Sequence, residues 1–403
     1  MDVTFRPVDL AEVPEFSRVA SIGFAEPPSR LHERRAWADL DIDRTLAGFE
    51  GDELVSTSRN YSLELTVPGG TSLPAAGVSA VTVLPTHRRR GVLREMMRGL
   101  LDEAVGRGEP VAMLTASEPT IYERFGFGIT TRTVAIELDR REIEFAQPRP
   151  AGRLRILEPD AASKLEPEVF ARVQAEYPGA ISRPDAWWGA EQWERRFGLR
   201  YDVSYESVDG RVDGYACYGV RERFDTGSAN VLTVRDLVAA TPTAEAALWR
   251  FVCEVDLVRT VGTHRAPLDL ALPWMLTSNR AVRVGGVADE VWTRLLDVPA
   301  ALAARAYAVD GHLGLAVHDE FRPHQAADGT VTLDGGPDGA TAQPGGDADL
   351  ACSVSALSAA WLGGVRWSTL ARAGLVEERR AGALATADAM FASDPLPYPF
   401  TWF

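Results

Sequence analysis

Arg88, Arg89 and Arg90 stand in a row in the stretch PTHRRRGVLREMM, Pro85 to Met97, and Gly91 follows at once. Guanidinium groups beside a glycine-led turn suit an anion: the charge is fixed, and a residue without a side chain lets the anion reach the backbone amides. The run stands out because the chain's formal net charge is -15. Taken alone it also fits a solvated basic turn, or a basic patch on a DNA-reading helix. Farther along, Tyr122 precedes the turn Phe125-Gly126-Phe127-Gly128. A phenol with an ordinary pKa of about 10 stays protonated where a thiol, at roughly 8.5, begins to ionise, so it can donate to a departing thiolate. A core tyrosine with a satisfied hydroxyl is the other reading. The third candidate is the stretch PLPYPFTWF: Pro395, Pro397 and Pro399 stiffen it, and Tyr398, Phe400, Trp402 and Phe403 give it surface to bury. Such a terminus is expected to dock rather than fray. Docking fixes an α-carboxylate whose unperturbed pKa of roughly 3.5 rises with burial, which makes it a stronger base. Packing alone would equally explain the tail.

The elements that must position these groups can be read locally. AAGVSAVTVLP gives a buried strand from Val78 to Leu84, stopped by Pro85. Leu93, Met96, Met97, Leu100, Leu101 and Ala104 recur at helical spacing, with Gly106 and Gly108 as stops. The order is strand, arginine loop, helix, and the first amides of that helix have no internal partner. GEPVAMLTASEPTIYERFGFG then gives a second strand, Val111 to Ala116, followed by Ser117, Glu118 and a short helix bearing Tyr122.

At 403 residues the chain exceeds a single core, so two or three domains are expected. No apolar run approaches the roughly 18 residues of a membrane helix, and charges and prolines interrupt the N-terminal stretch, so a cytoplasmic protein without membrane attachment is expected. Cys217, Cys253 and Cys352 form no spaced pair and the six histidines no HxxxH pair, which points to buried thiols and to no metal site. Lys164 is the one lysine, a bias that fits a GC-rich genome better than a nucleic-acid role. An acidic chain repels phosphate backbones and draws polycations toward acidic clefts. With no helix-turn-helix pattern or broad basic face, no nucleic acid is expected.

Downstream, Ala146 to Leu154 reads as a linker, and DVSYESVDGRVDGYACYGV as a hairpin turning at Asp209-Gly210. ANVLTVRDLVAA is a strand, and a helix follows with Thr241 as cap, Pro242 at its first position and Leu248, Phe251, Val252 and Val255 on one face. The strand-then-helix order thus repeats, but the loop VAATPTAEA has neither the arginines nor the glycine. In the last hundred or so residues LGLAVHDEFRPH and GTVTLDGG read as neighbouring strands, PDGATAQPGGDADL as an acidic turn region, and SVSALSAAWLGG and AGALATADAMFAS as helices.

A tyrosine just before Gly-Phe, following a strand that follows an Arg-x-x-Gly helix, resembles the GNAT acyl-CoA N-acetyltransferases. The resemblance implies splayed strands holding acetyl-CoA as cosubstrate. Carried over by position, Val81, Thr82 and Val83 would meet the pantetheine, Arg89, Arg90, Gly91, Val92, Leu93 and Arg94 the pyrophosphate, and Ser117 and Glu118 the far strand end. Leu93 departs from the small residue usual there. The second copy is then a degenerate GNAT domain and the last module is similar to a sterol-carrier domain. The implied fold class is α/β (α+β), with tandem GNAT-like domains followed by a sterol-carrier-protein-like α+β domain, over residues 1–150, 151–290 and 291–403.

This architecture, with PTHRRRGVL and IYERFGFG, resembles the Eis (enhanced intracellular survival) family. The resemblance implies acetylation of aminoglycoside amines at several positions and a homohexamer. It gives Tyr122 the role of proton donor and the terminal carboxylate of Phe403 that of base. It also puts Phe24, Glu26 and Trp37, from SIGFAEPPSRLHERRAW, in the acceptor pocket. A carboxylate among aromatic faces suits a polyamine sugar, although each residue singly could be a cap or a surface group. Asp41 and Asp43 are further candidates. The alternatives are a protein lysine acetyltransferase, or a hydrophobic-ligand carrier with a vestigial GNAT domain.

Overall fold

The computed structural model describes residues 3–26, 40–188, 200–221 and 230–403. In chain order the first part runs β1 (Val3–Arg6), α1 (Val13–Phe24), β2 (Ala47–Glu50), β3 (Glu53–Thr66), β4 (Ser72–Val83), α2 (Val92–Gly106), β5 (Val111–Thr115), α3 (Pro119–Tyr122) and β6 (Gly128–Ile129). There follow β7 (Arg132–Asp139), β8 (Arg153–Leu157), α4 (Pro159–Gln174), β9 (Tyr201–Glu206), β10 (Val212–Arg221), β11 (Asn230–Ala239), α5 (Pro242–Glu254), β12 (Val258–Ala266), α6 (Leu272–Met275) and β13 (Arg283–Asp289). The chain closes with β14 (Val291–Leu295), α7 (Val298–Ala303), β15 (Gly311–His318), β16 (Gly329–Gly336), β17 (Gly339–Pro344), β18 (Leu350–Ser353), α8 (Val354–Trp361), α9 (Trp367–Arg372), β19 (Val376–Glu378) and α10 (Ala383–Phe391).

The chain divides into two compact units: Met1–Thr130 with Val291–Ser393 and Trp402–Phe403, and Thr131–Glu290 with Asp394–Thr401. The first unit holds a seven-stranded sheet, β1-β2-β3-β4-β5-β14-β6, and a five-stranded sheet, β17-β16-β15-β18-β19. The second holds a seven-stranded sheet, β13-β7-β12-β11-β10-β9-β8. Strand membership therefore does not follow the expected spans. β7 lies within 1–150 yet pairs with β12 and β13, while β14 follows residue 290 and lies between β5 and β6. Local pattern says that a segment is a strand, and nothing in it says which sheet edge the strand will satisfy.

The expected helix after the arginines is α2, which buries Val92, Met96, Met97, Leu100, Leu101 and Ala104. This apolar stripe packs on β3 and β4 because residues three and four apart share a helix face. The expected hairpin is β9 and β10, with Gly210 in the left-handed region at φ 81°. Thr241 caps α5 as read, its hydroxyl accepting from the Ala244 amide at 3.1 Å, and Leu248 and Val252 are buried beneath that helix. The acidic stretch read as a turn region contains a strand instead, β17, on the sheet edge against β16. Its short Ala-Thr-Ala-Gln run has little strand propensity, and the ladder with β16 supplies what the side chains do not. In the same module Phe391 meets Tyr307 and Trp367 edge-on at 5.0 and 5.1 Å and closes the core. Cys217, Cys253 and Cys352 are buried free thiols. Among the described residues no helix is long and apolar enough to cross a membrane.

Removing the α5 cap with Thr241→Ala should cost about 1 kcal/mol. The expected result is a lower urea midpoint with an unchanged slope. An unmoved midpoint would mean that the hydroxyl contributes nothing there.

Candidate active site

The site begins where two neighbouring strands stop pairing. β3 follows β4 from Thr66↔Ser72 to Ser56↔Val83, with a bulge between Thr57 and Arg59 opposite Ala80, which sits at φ 54°. On its other side β4 pairs in parallel with β5 only from Ala75↔Val111 to Gly77↔Met113. Beyond Gly77, β4 has no strand neighbour there among the described residues, whereas β5 continues along β14 as far as Thr115↔Val291. The result is a fork whose β4 edge, Val78 to Val83, offers amides and carbonyls to an extended ligand. Val81, Thr82 and Val83 all lie on it. Their side chains turn to packing: Val83 joins Val92 and Met96 of α2, and Thr82 faces α1, where a β-carbon on Gly23 would lie 1.5 Å from its hydroxyl oxygen.

The arginine loop closes the outer end of this edge. Arg88 is structural, donating to the Val83 carbonyl at 3.2 Å and the Gly23 carbonyl at 3.1 Å. Arg90 lies 3.5 Å from Glu50 in an exposed pair. Arg89 and Arg94 make no ion pair among the described residues, and Arg94 lies 5.4 Å over the Phe321 ring. Arg89 at φ 63° and Gly91 at φ 87° turn the chain so that α2 starts without a side-chain cap, and a β-carbon on Gly91 would meet nothing within 4 Å. The first amides of α2 and the guanidinium groups of Arg89 and Arg94, neither in an ion pair among the described residues, thus share an open, positive corner. Leu93, the unusual residue of the motif, packs into the core beneath α2. The matching helix of the second unit spends the amide of its third residue, Ala244, on the Thr241 hydroxyl.

Tyr122 ends α3, which is followed by a tight turn with Gly126 at φ 84°. It is only 7 % exposed, in the cluster that includes Phe125 and Phe127, with the Phe127 ring edge-on at 6.1 Å. Burial, and next the charge of Glu118, push its phenol up to about 12. The hydroxyl has no hydrogen-bond partner among the described residues, so its proton is available. Ser117 and Glu118 lie exposed at the end of β5 and make no side-chain hydrogen bond among the described residues.

The tail is docked without regular structure. In the second unit the Tyr398 amide donates to the Pro178 carbonyl at 3.0 Å, the Pro399 carbonyl accepts from the Ile181 amide at 3.1 Å, and Arg183 donates to the Phe400 carbonyl at 3.0 Å. In the first unit a main-chain oxygen of Phe403 accepts from the Thr115 hydroxyl at 2.9 Å. The Phe403 ring meets Tyr61 edge-on at 6.2 Å, and a β-carbon on Gly77 would lie 3.2 Å from it. Gly77 and Thr115 flank the point where β4 and β5 part, so Phe403 lies at the base of the fork. Thr115, Tyr61 and Gly77 carry no local signal of this contact, because the partner is more than 280 residues away in sequence from Thr115.

Phe24 ends α1 half-exposed beside Gly23, and so shares the corner that Arg88 ties down. Glu26 is exposed, its amide donating to the Ser21 carbonyl at 2.9 Å, and its carboxylate makes no hydrogen bond among the described residues. Trp37 lies outside the described residues.

An open strand edge leading to an uncapped helix N-terminus beside several arginines fits a cosubstrate that has an extended amide arm and an anionic end. Comparison with known proteins agrees. The acetyltransferase (GNAT) domain pattern matches residues 4–130 and a second such pattern matches 179–305, while the sterol carrier protein domain pattern matches 298–399. An uncharacterized N-acetyltransferase of Streptomyces griseus is 38% identical over 421 residues, covering 99% of each chain. The N-acetyltransferase Eis of Mycobacterium tuberculosis is 33% identical over 360 residues, covering 85% of this chain and 84% of its own. The crystal structure of Eis1 from Mycobacterium abscessus superposes with a TM-score of 0.89 at 33% identity, covering 99% of this chain and all of that one. With tandem GNAT domains, a sterol-carrier-like third module and these relatives, the chain belongs to the Eis family of GNAT N-acetyltransferases, which transfer an acetyl group from acetyl-CoA to an amine.

Proposed function

We propose that the chain acetylates amines of a polycationic small molecule such as an aminoglycoside, at several positions, by direct attack of the amine on the thioester. The observation that carries this reading is the fork between β4 and β5, with the arginine loop at its outer end and Phe403 at its base. The pantetheine arm pairs with the backbone of Val81, Thr82 and Val83. Its phosphates meet the amides of Gly91, Val92 and Leu93 and the charges of Arg89, Arg90 and Arg94. Ser117 and Glu118 line the other strand end. Residues 1–150 carry the catalysis, 151–290 form a scaffold without the phosphate loop, and 291–403 bring the tail.

The amine nitrogen bonds to the thioester carbon as the carbon–sulfur bond breaks. The proton leaving nitrogen goes to the terminal carboxylate of Phe403, and Tyr122 gives its proton to the departing sulfur. A phenol pushed up to about 12 stays protonated throughout the neutral range, which suits an acid. The acceptor's charge agrees with the chain's net charge of -15, and Phe24 and Glu26, with Trp37, form the expected acceptor pocket. The working form is a cytoplasmic homohexamer, as the family resemblance suggests. The carrier alternative fits less well: Tyr307, Trp367 and Phe391, the large aromatic side chains of that module, are packed on one another.

Three measurements test this reading. Tyr122→Phe should lower kcat by about 10²–10⁴-fold and remove the loss of rate at high pH that titration of the phenol causes; full turnover with an unchanged profile would end the acid assignment. One glycine appended after Phe403 should displace the carboxylate and cut kcat about 10²-fold, with intact-mass measurement checking that the unextended enzyme ends at Phe403; an unaltered rate would remove the carboxylate as base. Kanamycin, neomycin, spermidine and a lysine-rich peptide, each incubated with enzyme and acetyl-CoA, should give multiply acetylated sugars by mass spectrometry. Acetylation of the peptide alone would replace the aminoglycoside reading with a protein-lysine one.

A further inference from the structure

The turn after Tyr122 contains two glycines because residues from the far end of the chain press into it. A β-carbon on Gly126 would lie 1.7 Å from Nη1 of Arg294 and 2.8 Å from Cγ1 of Val354. On Gly128 it would lie 2.1 Å from the Ser355 carbonyl oxygen and 2.7 Å from the Ala359 amide. Both contacts come from beyond residue 290, from β14 and from α8.

Hydrogen bonds fix the same turn. Arg294, fully buried, donates to the Phe125 carbonyl and, at 2.5 Å, to the carboxylate of Asp319. The other oxygen of Asp319 accepts from the amides of Phe321 and Arg322, each at 3.1 Å, and the Phe321 ring meets Phe125 edge-on at 4.9 Å. Ser355 donates its hydroxyl to the Phe127 carbonyl at 2.8 Å. One turn farther along α8, Ser358 accepts at its own hydroxyl from the Leu295 amide at 3.1 Å and at its carbonyl from Thr130 and Thr293, each at 3.3 Å. A two-glycine turn has little stiffness of its own, so these contacts set where the preceding tyrosine stands.

We propose that β14 and the sterol-carrier-like module that follows it serve the reaction as a clamp on the turn that carries Tyr122, with Arg294, Asp319 and Ser355 as positioning residues. This rests on the reading of Tyr122 as the acid. The clamp's catalytic contribution is then geometric: it holds the phenol at the departing sulfur and keeps it dry.

The test uses the full-length enzyme with Ser355→Ala, the milder change, and Asp319→Asn, each measured as kcat, KM for acetyl-CoA and a pH profile. Each variant should lose about tenfold in kcat while KM for acetyl-CoA stays within about twofold. The high-pH limb should also move downward, because a loosened turn admits water and a hydrated phenol ionises more readily. Ser355→Thr, which restores the hydroxyl, should return both the rate and the limb. Unaltered kcat, or a loss that only follows the folded fraction seen by thermal melting while the limb stays in place, would overturn the clamp. Tyr122→Phe run alongside separates the two claims. If it is crippled while the clamp variants are normal, the clamp alone fails; if it turns over fully, the acid reading fails and the clamp with it.

Discussion

A buried strand edge must find partners for its amides and carbonyls, and among the described residues β4 finds them on one side for its whole length but on the other for only three residues. That single mismatch organises the first unit. The bulge at Ala80 bends β4 away, β14 takes over the far side of β5, and the gap between the strands runs from Gly77 at its base to the arginine loop at its rim. Extended amide ligands add to such edges by main-chain hydrogen bonds, so a cosubstrate with an amide arm can be held there without dedicated side chains. Side chains are needed at the two ends, where charge and protons are handled.

The second unit makes the same comparison within one chain. β11 pairs with β12 in parallel from Asn230↔Val258 to Thr233↔Gly262, and a helix again follows the first of the two strands. Here the helix N-terminus is closed by the Thr241 hydroxyl, no arginines precede it, and the tail is held nearby by Arg183, which also pairs with Asp236 at 2.6 Å. A shared scaffold therefore carries phosphate-binding groups in one copy and structural contacts in the other, because function lies in the residues grafted onto a fold.

What could be read from sequence was set by range. The arginine loop and α2, the Asp209-Gly210 hairpin, the Thr241 cap and the apolar tail are all written in neighbouring residues, where periodicity, turn chemistry and capping act. The exchange of β7 and β14 between sheets was not legible, since an alternating apolar strand does not encode its partner. The same holds for Arg294, whose bonds to the Phe125 carbonyl and to the Asp319 carboxylate join parts of the chain far apart in sequence. Gly126 and Gly128 were legible as a turn, but the reason for both was not, because that reason is the side chain and backbone lying against them. β17 was missed because its small side chains give no strand signal, and the ladder supplies the order.

Hydrogen exchange of the full-length protein with and without acetyl-CoA, read at the level of single peptides, tests the central claim most directly. The account predicts slower exchange confined to the free edge of β4, Val78 to Val83, and to the first amides of α2, with β11 and the start of α5 unaffected. Protection that appears in β11 and α5, or none along β4 although acetyl-CoA is bound, would contradict it.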